Sequence, residues 1–284
     1  MTIKIKLSGG LGNQMFQFAT GYAVAKKNNV RLSLDLKYIN KRMKHNGFEL
    51  DEVFNIYSKV SFLNKQLSFK SINVEEILTI FDKSFYNFKE PHYHYSNNIS
   101  NLPKHTFLDG YWQSELYFKD YYQEIREIFT FPNNLDKENN SIIHDINQNN
   151  SVSIHVRKGD FLLKQNNNHN TNLKEYYLKA INESSNFLKN AKFFVFTDDP
   201  IWVRENFKLN HYHTIVDINH GKKSFLDMYL MSLCQINIIA NSSFSWWGAW
   251  LNNEKDKIIY APKNWFNDKS ICTDDLFPKS WIIL

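Results

Sequence analysis

Hydrophobic and polar positions along this chain repeat one theme: a strand, a polar loop at its end, then a helix. Ile3-Lys4-Ile5-Lys6-Leu7 alternates with a period of two, as on a strand whose two faces differ in burial. Phe16, Ala19, Tyr22 and Ala23 follow with helical spacing, and residues 30–36 (VRLSLDL) alternate again. That is a βαβ unit, and it predicts a parallel sheet. In Val152-Ser153-Ile154-His155-Val156 the apolar residues share one face, while Ser153, His155 and Arg157 share the other. Phe193 to Phe196 is a continuous apolar run, the pattern of a strand covered on both faces. Ser224 to Leu233 reads as an amphipathic helix and Ile236 to Ala240 as another buried strand. Residues 40–100 are aromatic and irregular, and no element is assigned there.

The expected class is therefore α/β. At 284 residues, and at roughly 150 residues per domain, two domains are expected. Asn133 to Asn150 is rich in Asn after Pro132 and poor in apolar residues, which suggests an inter-domain linker. The boundary is placed inside it, giving an N-terminal domain over 1–140 and a C-terminal domain over 141–284. Gln165 to Asn172 reads as an exposed loop.

Composition narrows the class of ligand. A net charge of +5 suits an anionic small molecule or a membrane face, and is too dispersed to argue for nucleic acid. Two cysteines, Cys234 and Cys272, match neither a disulfide framework nor a metal spacing. The N-terminus reads as a strand rather than a secretory signal, and the apolar stretch Leu226 to Ala240 carries Asp227, Gln235 and Asn237. A cytoplasmic protein is expected, with peripheral contact at a membrane face left open.

Candidate chemistry sits at the ends of the expected strands, where ligands bind in open α/β sheets. Gly159 stops the central alternation, so Arg157, Lys158 and Asp160 cluster there with His155, a set suited to phosphate. Gly9-Gly10-Leu11-Gly12-Asn13-Gln14 has the form of an anion-binding turn before a helix, with a plain βα turn as the alternative. Met15 stands where a dinucleotide fingerprint needs its third glycine. The loop Asp109-Gly110-Tyr111-Trp112-Gln113-Ser114-Glu115 carries the residue types of a carbohydrate-binding wall. In Thr197-Asp198-Asp199-Pro200, Asp199 is placed to cap a helix, leaving Asp198 to meet a base or ribose. Asn241-Ser242-Ser243-Phe244-Ser245 opens a helix after a buried strand, as a second anion cradle or an ordinary cap. The acidic pairs Asp198-Asp199 and Asp274-Asp275 are contiguous rather than D-x-D, which disfavours a divalent metal. His92 and His94 lack nearby acids and read as surface or packing residues. No cofactor is expected.

Five stretches, GGLGNQMFQFATGYAVA, DGYWQSELYF, SIHVRKGDF, FFVFTDDPIW and ANSSFSWWGAWL, fall in order between residues 9 and 251. Together the chain resembles the bacterial α-1,2-fucosyltransferases of glycosyltransferase family 11. It departs at Lys158, where the family often has Arg, and at Phe161, where Tyr is common. The resemblance implies a GT-B-like fold, two Rossmann-like domains facing across a cleft, with the second holding GDP-fucose. It implies metal-independent, inverting transfer of L-fucose to the 2-hydroxyl of a terminal galactose, in surface polysaccharide or O-antigen synthesis, on a free or lipid-linked glycan. Donor contacts would come from Gly10, Gly12, Asn13 and Gln14, from His155 and Arg157 at the diphosphate, from Asp198 or Asp199 at guanine, and from Asn241, Ser242, Ser243, Phe244 and Ser245. The catalytic set would be Arg157, His155 and Asp160, with Asp160, Asp109 and Glu115 as base candidates in that order. Asp109, Tyr111, Trp112 and Glu115 would line the acceptor side. Two other readings stay open: a fucosyltransferase of another linkage, such as α-1,6, and a non-catalytic GDP-sugar or glycan-binding module.

Overall fold

Strand β1 (Thr2–Lys6) buries Ile3 and Ile5 on alternate positions, as its sequence pattern requires. It lies between β2 (Arg31–Asp35) and β4 (Thr106–Asp109), and β3 (Tyr86–Lys89) completes a parallel sheet of order β2-β1-β4-β3. The computed structural model describes residues 1–42, 46–68, 84–133, 135–157 and 172–284. Its chain divides into two units, Met1–Phe131 with Thr273–Leu276, and Pro132–Cys272 with Phe277–Leu284.

In the first unit the helix Leu11–Asn28 is buried around most of its circumference. One side meets β1 and β2, and the other meets aromatic rings, with Phe16–Phe118 centroids 6.4 Å apart and Phe18–Phe129 centroids 5.8 Å apart. It ends at Asn29 in the left-handed conformation, whose N–H returns to the last turn, a usual way to satisfy terminal carbonyls. Among the described residues the unassigned stretch holds helices at Glu49–Phe54 and Ile56–Ser68, as well as β3. Asn64 of the second helix bonds both the N–H and the carbonyl of Leu32, closing part of the open edge of β2. β3 is an edge strand with Tyr86, Asn87 and Lys89 exposed, so it has no buried face to leave an alternation.

The second unit is built on a parallel sheet of order β10-β9-β8-β5-β6-β7, in which β5 (Ser151–Val156) lies between β8 and β6 (Lys192–Thr197). β7 (His213–Val216), β8 (Ile236–Ile238), β9 (Ile258–Ala261) and β10 (Ile282–Ile283) complete it. On one face Val152, Ile154, Val156, Phe193 and Val195 pack under Tyr176, Tyr177, Ala180 and Ile181 of the helix Lys174–Phe187. Each large apolar side chain removed from water contributes roughly 1.5–3 kcal/mol, so this face is a main source of the unit's stability. The other face of β5 is also buried, but it is polar. Asn237 of β8, in register with Ser153, donates to the Ser153 hydroxyl at 2.7 Å, and Asn252 donates to the Asn237 carbonyl oxygen at 2.7 Å. His155 continues that face to the strand end.

The expected linker is corrected by the structure. Asp136 caps a helix, Lys137–Asn147, by accepting from the N–H of Asn139, and Ile146 is buried. The asparagines that made the stretch look linker-like work as local hydrogen-bonding groups. Buried Asn139 exchanges amide hydrogen bonds of 2.9 Å with Asn219, which donates to Asp227 at 2.8 Å.

Burial lifts the Asp227 carboxyl to about 7; the Asn219 hydrogen bond works against this and Asp217 adds to it. A carboxyl that holds its proton more tightly folded than unfolded makes stability fall as pH rises from about 4, its unfolded value, toward the folded one. Asp227→Asn keeps an acceptor for Asn219 without the charge. Urea unfolding is expected to show the variant more stable than the parent at pH 8, with the difference gone by pH 4. An equal difference at both pH values would remove Asp227 as the cause.

Candidate functional site

The carboxyl ends of β5, β6 and β8 bring three of the expected residues together. His155, the penultimate residue of β5, is buried, and its Nδ1 has no hydrogen-bond partner among the described residues. Burial drives its pKa down and adjacent Arg157 drives it further, with Asp198 opposing, to about 3. The imidazole is therefore neutral at ordinary pH. Its carbonyl accepts from the Tyr177 hydroxyl at 2.7 Å, which pins the strand end, and its ring lies 5.8 Å from that of Phe244. Arg157 leaves the strand with its Nε 3.1 Å from Asp198 Oδ2, the two side chains being 23% and 24% exposed. Holding Nε fixes the plane of the guanidinium, the prerequisite for gripping two oxygens of one anion.

Asp198 and Asp199 divide their work. Asp199 accepts from the N–H of Trp202 at 3.0 Å and so caps the helix Pro200–Asn206, while Asp198 orients Arg157. After β8, Ser242 caps the helix Ser243–Trp250 through the N–H of Phe244 at 3.3 Å. Asn241 and Ser245 are buried and bond inward, to the carbonyls of Trp265 and Ser242. Ser243 and Phe244 are half-buried. Asp160, Lys158 and Phe161 lie outside the described residues.

The glycine-rich turn of the first unit has a different character from the one expected. Gly9 sits at φ +78°, and a Cβ there would stand 2.7 Å from Asn13 Nδ2. Gly10 caps the helix, and the first helical N–H, that of Leu11, is taken by the buried Glu49 carboxylate at 3.0 Å. Burial raises the pKa of Glu49, against the hydrogen bonds from Asn46 and Leu11. Gln14 is fully buried; its Nε2 donates to the carbonyls of Gly9 and Gly47 and its Oε1 accepts from Leu50. Gln14 is thus a clasp between two loops, and the expectation that it touches a donor is corrected: its amide is consumed. Gly12 is buried, and Asn13 Oδ1 accepts from Gln113.

On the expected acceptor wall, Asp109 is half-buried and pairs with Lys6 at 2.8 Å. Tyr111 is exposed, and half-buried Glu115 opens a short turn capped by Ser114. Trp112 is corrected: it is 0% exposed, with its ring 6.0 Å from Phe88 and edge-on to Tyr117 at 5.3 Å, so it is core rather than wall. The sequence reading missed Glu90. This carboxyl accepts from the N–H of Tyr111 at 2.6 Å and of Trp112 at 2.9 Å, and burial pushes it up to about 7. Its neighbourhood carried no assigned element, so nothing in the pattern singled it out.

A parallel α/β sheet with an oriented arginine and a neutral histidine at its strand ends places these side chains where open α/β sheets bind their ligands. Comparison with known proteins makes the class specific. The chain belongs to Glycosyl transferase family 11, whose model matches residues 1–284, and it is a glycosyltransferase. It is 35% identical over 287 residues to an alpha-1,2-colitosyltransferase of Escherichia coli, covering 98% of this chain and 97% of the relative. It is 34% identical over 303 residues to the Escherichia coli O-antigen biosynthesis glycosyltransferase WbnK, covering 98% and 99%. Among solved structures, FUT1 of Arabidopsis thaliana in complex with GDP is similar in fold, with a TM-score of 0.50 at 13% identity over 98% of this chain and 74% of that one. The architecture is GT-B-like, with parallel sheets. Among the described residues no helix is long and apolar enough to cross a membrane.

Proposed function

We propose that the chain transfers L-fucose from GDP-fucose to the 2-hydroxyl of a terminal galactose, with inversion, as a step in O-antigen assembly. The observation that carries this reading is the Arg157–Asp198 pair beside the neutral His155, whose Nδ1 has no partner among the described residues. In the proposed mechanism the leaving GDP gains negative charge as the glycosidic bond breaks. Arg157, held by Asp198, meets that charge, and the helix start at Ser243 adds backbone dipole. His155 offers a hydrogen bond without adding a second cation. Asp160 is the first candidate to take the proton of the acceptor hydroxyl. Gly10, Gly12 and Asn13 remain proposed donor neighbours, and Asp109 and Glu115 proposed acceptor neighbours.

One second reading has a specific basis: the colitosyltransferase relative. Colitose is L-fucose without its 3-hydroxyl, so the same strand-end cluster serves either GDP-sugar. The test offers GDP-fucose and GDP-colitose with a panel of β-galactosides in excess EDTA, and assigns the product by NMR. An α-1,2-fucosylated galactoside formed in EDTA is expected. An α-1,6 product, a marked preference for GDP-colitose, or activity that returns only with Mg²⁺ or Mn²⁺ would each overturn the corresponding part of the proposal.

A further inference from the structure

Two exposed tyrosines stand over the turn that Glu90 holds. Glu90 directly follows β3, and its backbone N–H bonds the carbonyl of Asp109 at the end of β4, at 2.8 Å. The carboxyl then reaches across the loop to the N–H groups of Tyr111 and Trp112. Only glycine fits at position 110, since a Cβ there would lie 2.4 Å from Glu90 Cβ and 2.6 Å from Oε2. Trp112 is held at φ +58°, in the left-handed region that few side chains adopt without support. Beneath the turn the Trp112 ring is locked against Phe88 and Tyr117, and its buried Nε1 has no partner among the described residues. Above it the rings of Tyr93 and Tyr111 lie 6.3 Å apart with planes 13° from parallel. They are 37% and 40% exposed.

We infer that Tyr93 and Tyr111 form the platform on which a pyranose of the acceptor glycan rests, and that Glu90 is the positioning residue that fixes it. The identity of that sugar rests on the proposed function. Aromatic faces pack against the C–H face of a sugar while phenolic rims meet its hydroxyls. Two near-parallel rings left in water by a turn so heavily constrained beneath suit that task. Asp109 with its Lys6 partner supplies polar groups at the same strand end. The titratable and charged groups around Glu90 are His92, Asp109 and Lys6, with Tyr93, Tyr111 and Tyr117. Because burial raises the Glu90 carboxyl to about 7, the closed turn holds a proton more tightly than an open one would, so the turn is favoured as pH falls through about 7 and weakens as pH rises through it.

The test is binding of methyl β-D-galactoside by saturation-transfer NMR, which needs no turnover, on the full chain and on Tyr93→Ala, Tyr111→Ala and Glu90→Gln. Loss of one ring is expected to raise Kd at least about tenfold, the equivalent of 1.4 kcal/mol. GDP binding should be unchanged. The parent should bind more tightly at pH 6 than at pH 8, and Glu90→Gln, which has no charge to bury, should show no such difference. His92 is kept in that variant, so a pH dependence that survives there overturns the role of Glu90. No binding by the parent, or equal binding by the tyrosine variants, overturns the platform. A parent that binds galactoside through these rings but forms no product from GDP-fucose keeps the platform and sinks the proposed reaction instead.

Discussion

Arg157→Ala is expected to fold normally and to lose about 10²–10³ in kcat, the usual effect of removing one preorganised donor to a developing oxyanion. The structure sharpens the reason. Arg157 is partly exposed, at the end of a strand whose own stability comes from Val152, Ile154 and Val156, so its loss opens no core cavity. Its guanidinium is oriented before any ligand arrives, because Asp198 holds Nε. Its interaction with the diphosphate should strengthen as charge moves onto the leaving group, which puts the effect in kcat rather than in KM. Arg157→Lys should recover only part, since an ammonium has no Nε edge for Asp198 and no fork for two oxygens. Asp198→Asn should be milder than Arg157→Ala, because the cation stays and only its orientation slackens. The measurement is kcat and KM for the GDP-sugar in the three variants, with circular dichroism to confirm folding. A folded Arg157→Ala with near-normal kcat would remove Arg157 from the stabilisation of the leaving group.

Trp112→Ala is expected to destabilise the protein by about 3–5 kcal/mol, the range for truncating a fully buried large aromatic. The ring is 0% exposed and contacts Phe88 and Tyr117, so its removal leaves a cavity next to β4. Ala also inherits the left-handed backbone at φ +58° without the packing that supports it. Trp112→Phe should cost clearly less. It keeps most of the apolar contact and removes the buried Nε1, which has no acceptor among the described residues and so carries a desolvation penalty of about 1–3 kcal/mol. Chemical denaturation checks both. If Trp112→Ala is as stable as the parent and only galactoside binding suffers, the ring belongs to a binding wall after all.

The difference between these two residues shows what sequence pattern carries. Arg157 was identifiable because the alternation of β5 assigns its face and Gly159 marks where the strand stops. The same logic found β1, β2, β6 and β8, each with a buried face. Trp112 was misjudged because a Tyr-Trp pair in a loop looks alike whether its rings face water or core, and only the φ of one residue turns Tyr111 outward and Trp112 inward. Glu49 and Glu90 were invisible for a related reason. Each acts on backbone N–H groups far along the chain, Leu11 in one case and Tyr111 and Trp112 in the other. Asp198 stood out as a residue that could meet a base or ribose, but its pairing with Arg157 did not, since spacing does not reveal that β5 and β6 are neighbours in register with Val156 beside Thr197.

The Gly9–Gln14 turn and the β5–β6–β8 strand ends were both candidates for the diphosphate, and they now differ physically. In the first, the Leu11 N–H already serves the chain's own Glu49 carboxylate. In the second, an arginine is oriented and a neutral imidazole nitrogen stands without a partner among the described residues. A crystal structure of the protein with GDP decides between them. Diphosphate oxygens should lie within hydrogen-bonding distance of Arg157, with the nucleotide over the ends of β5 and β6. Diphosphate held instead by the backbone of Gly10 to Asn13, with Arg157 out of reach of it, would overturn the assignment of the donor to the second unit.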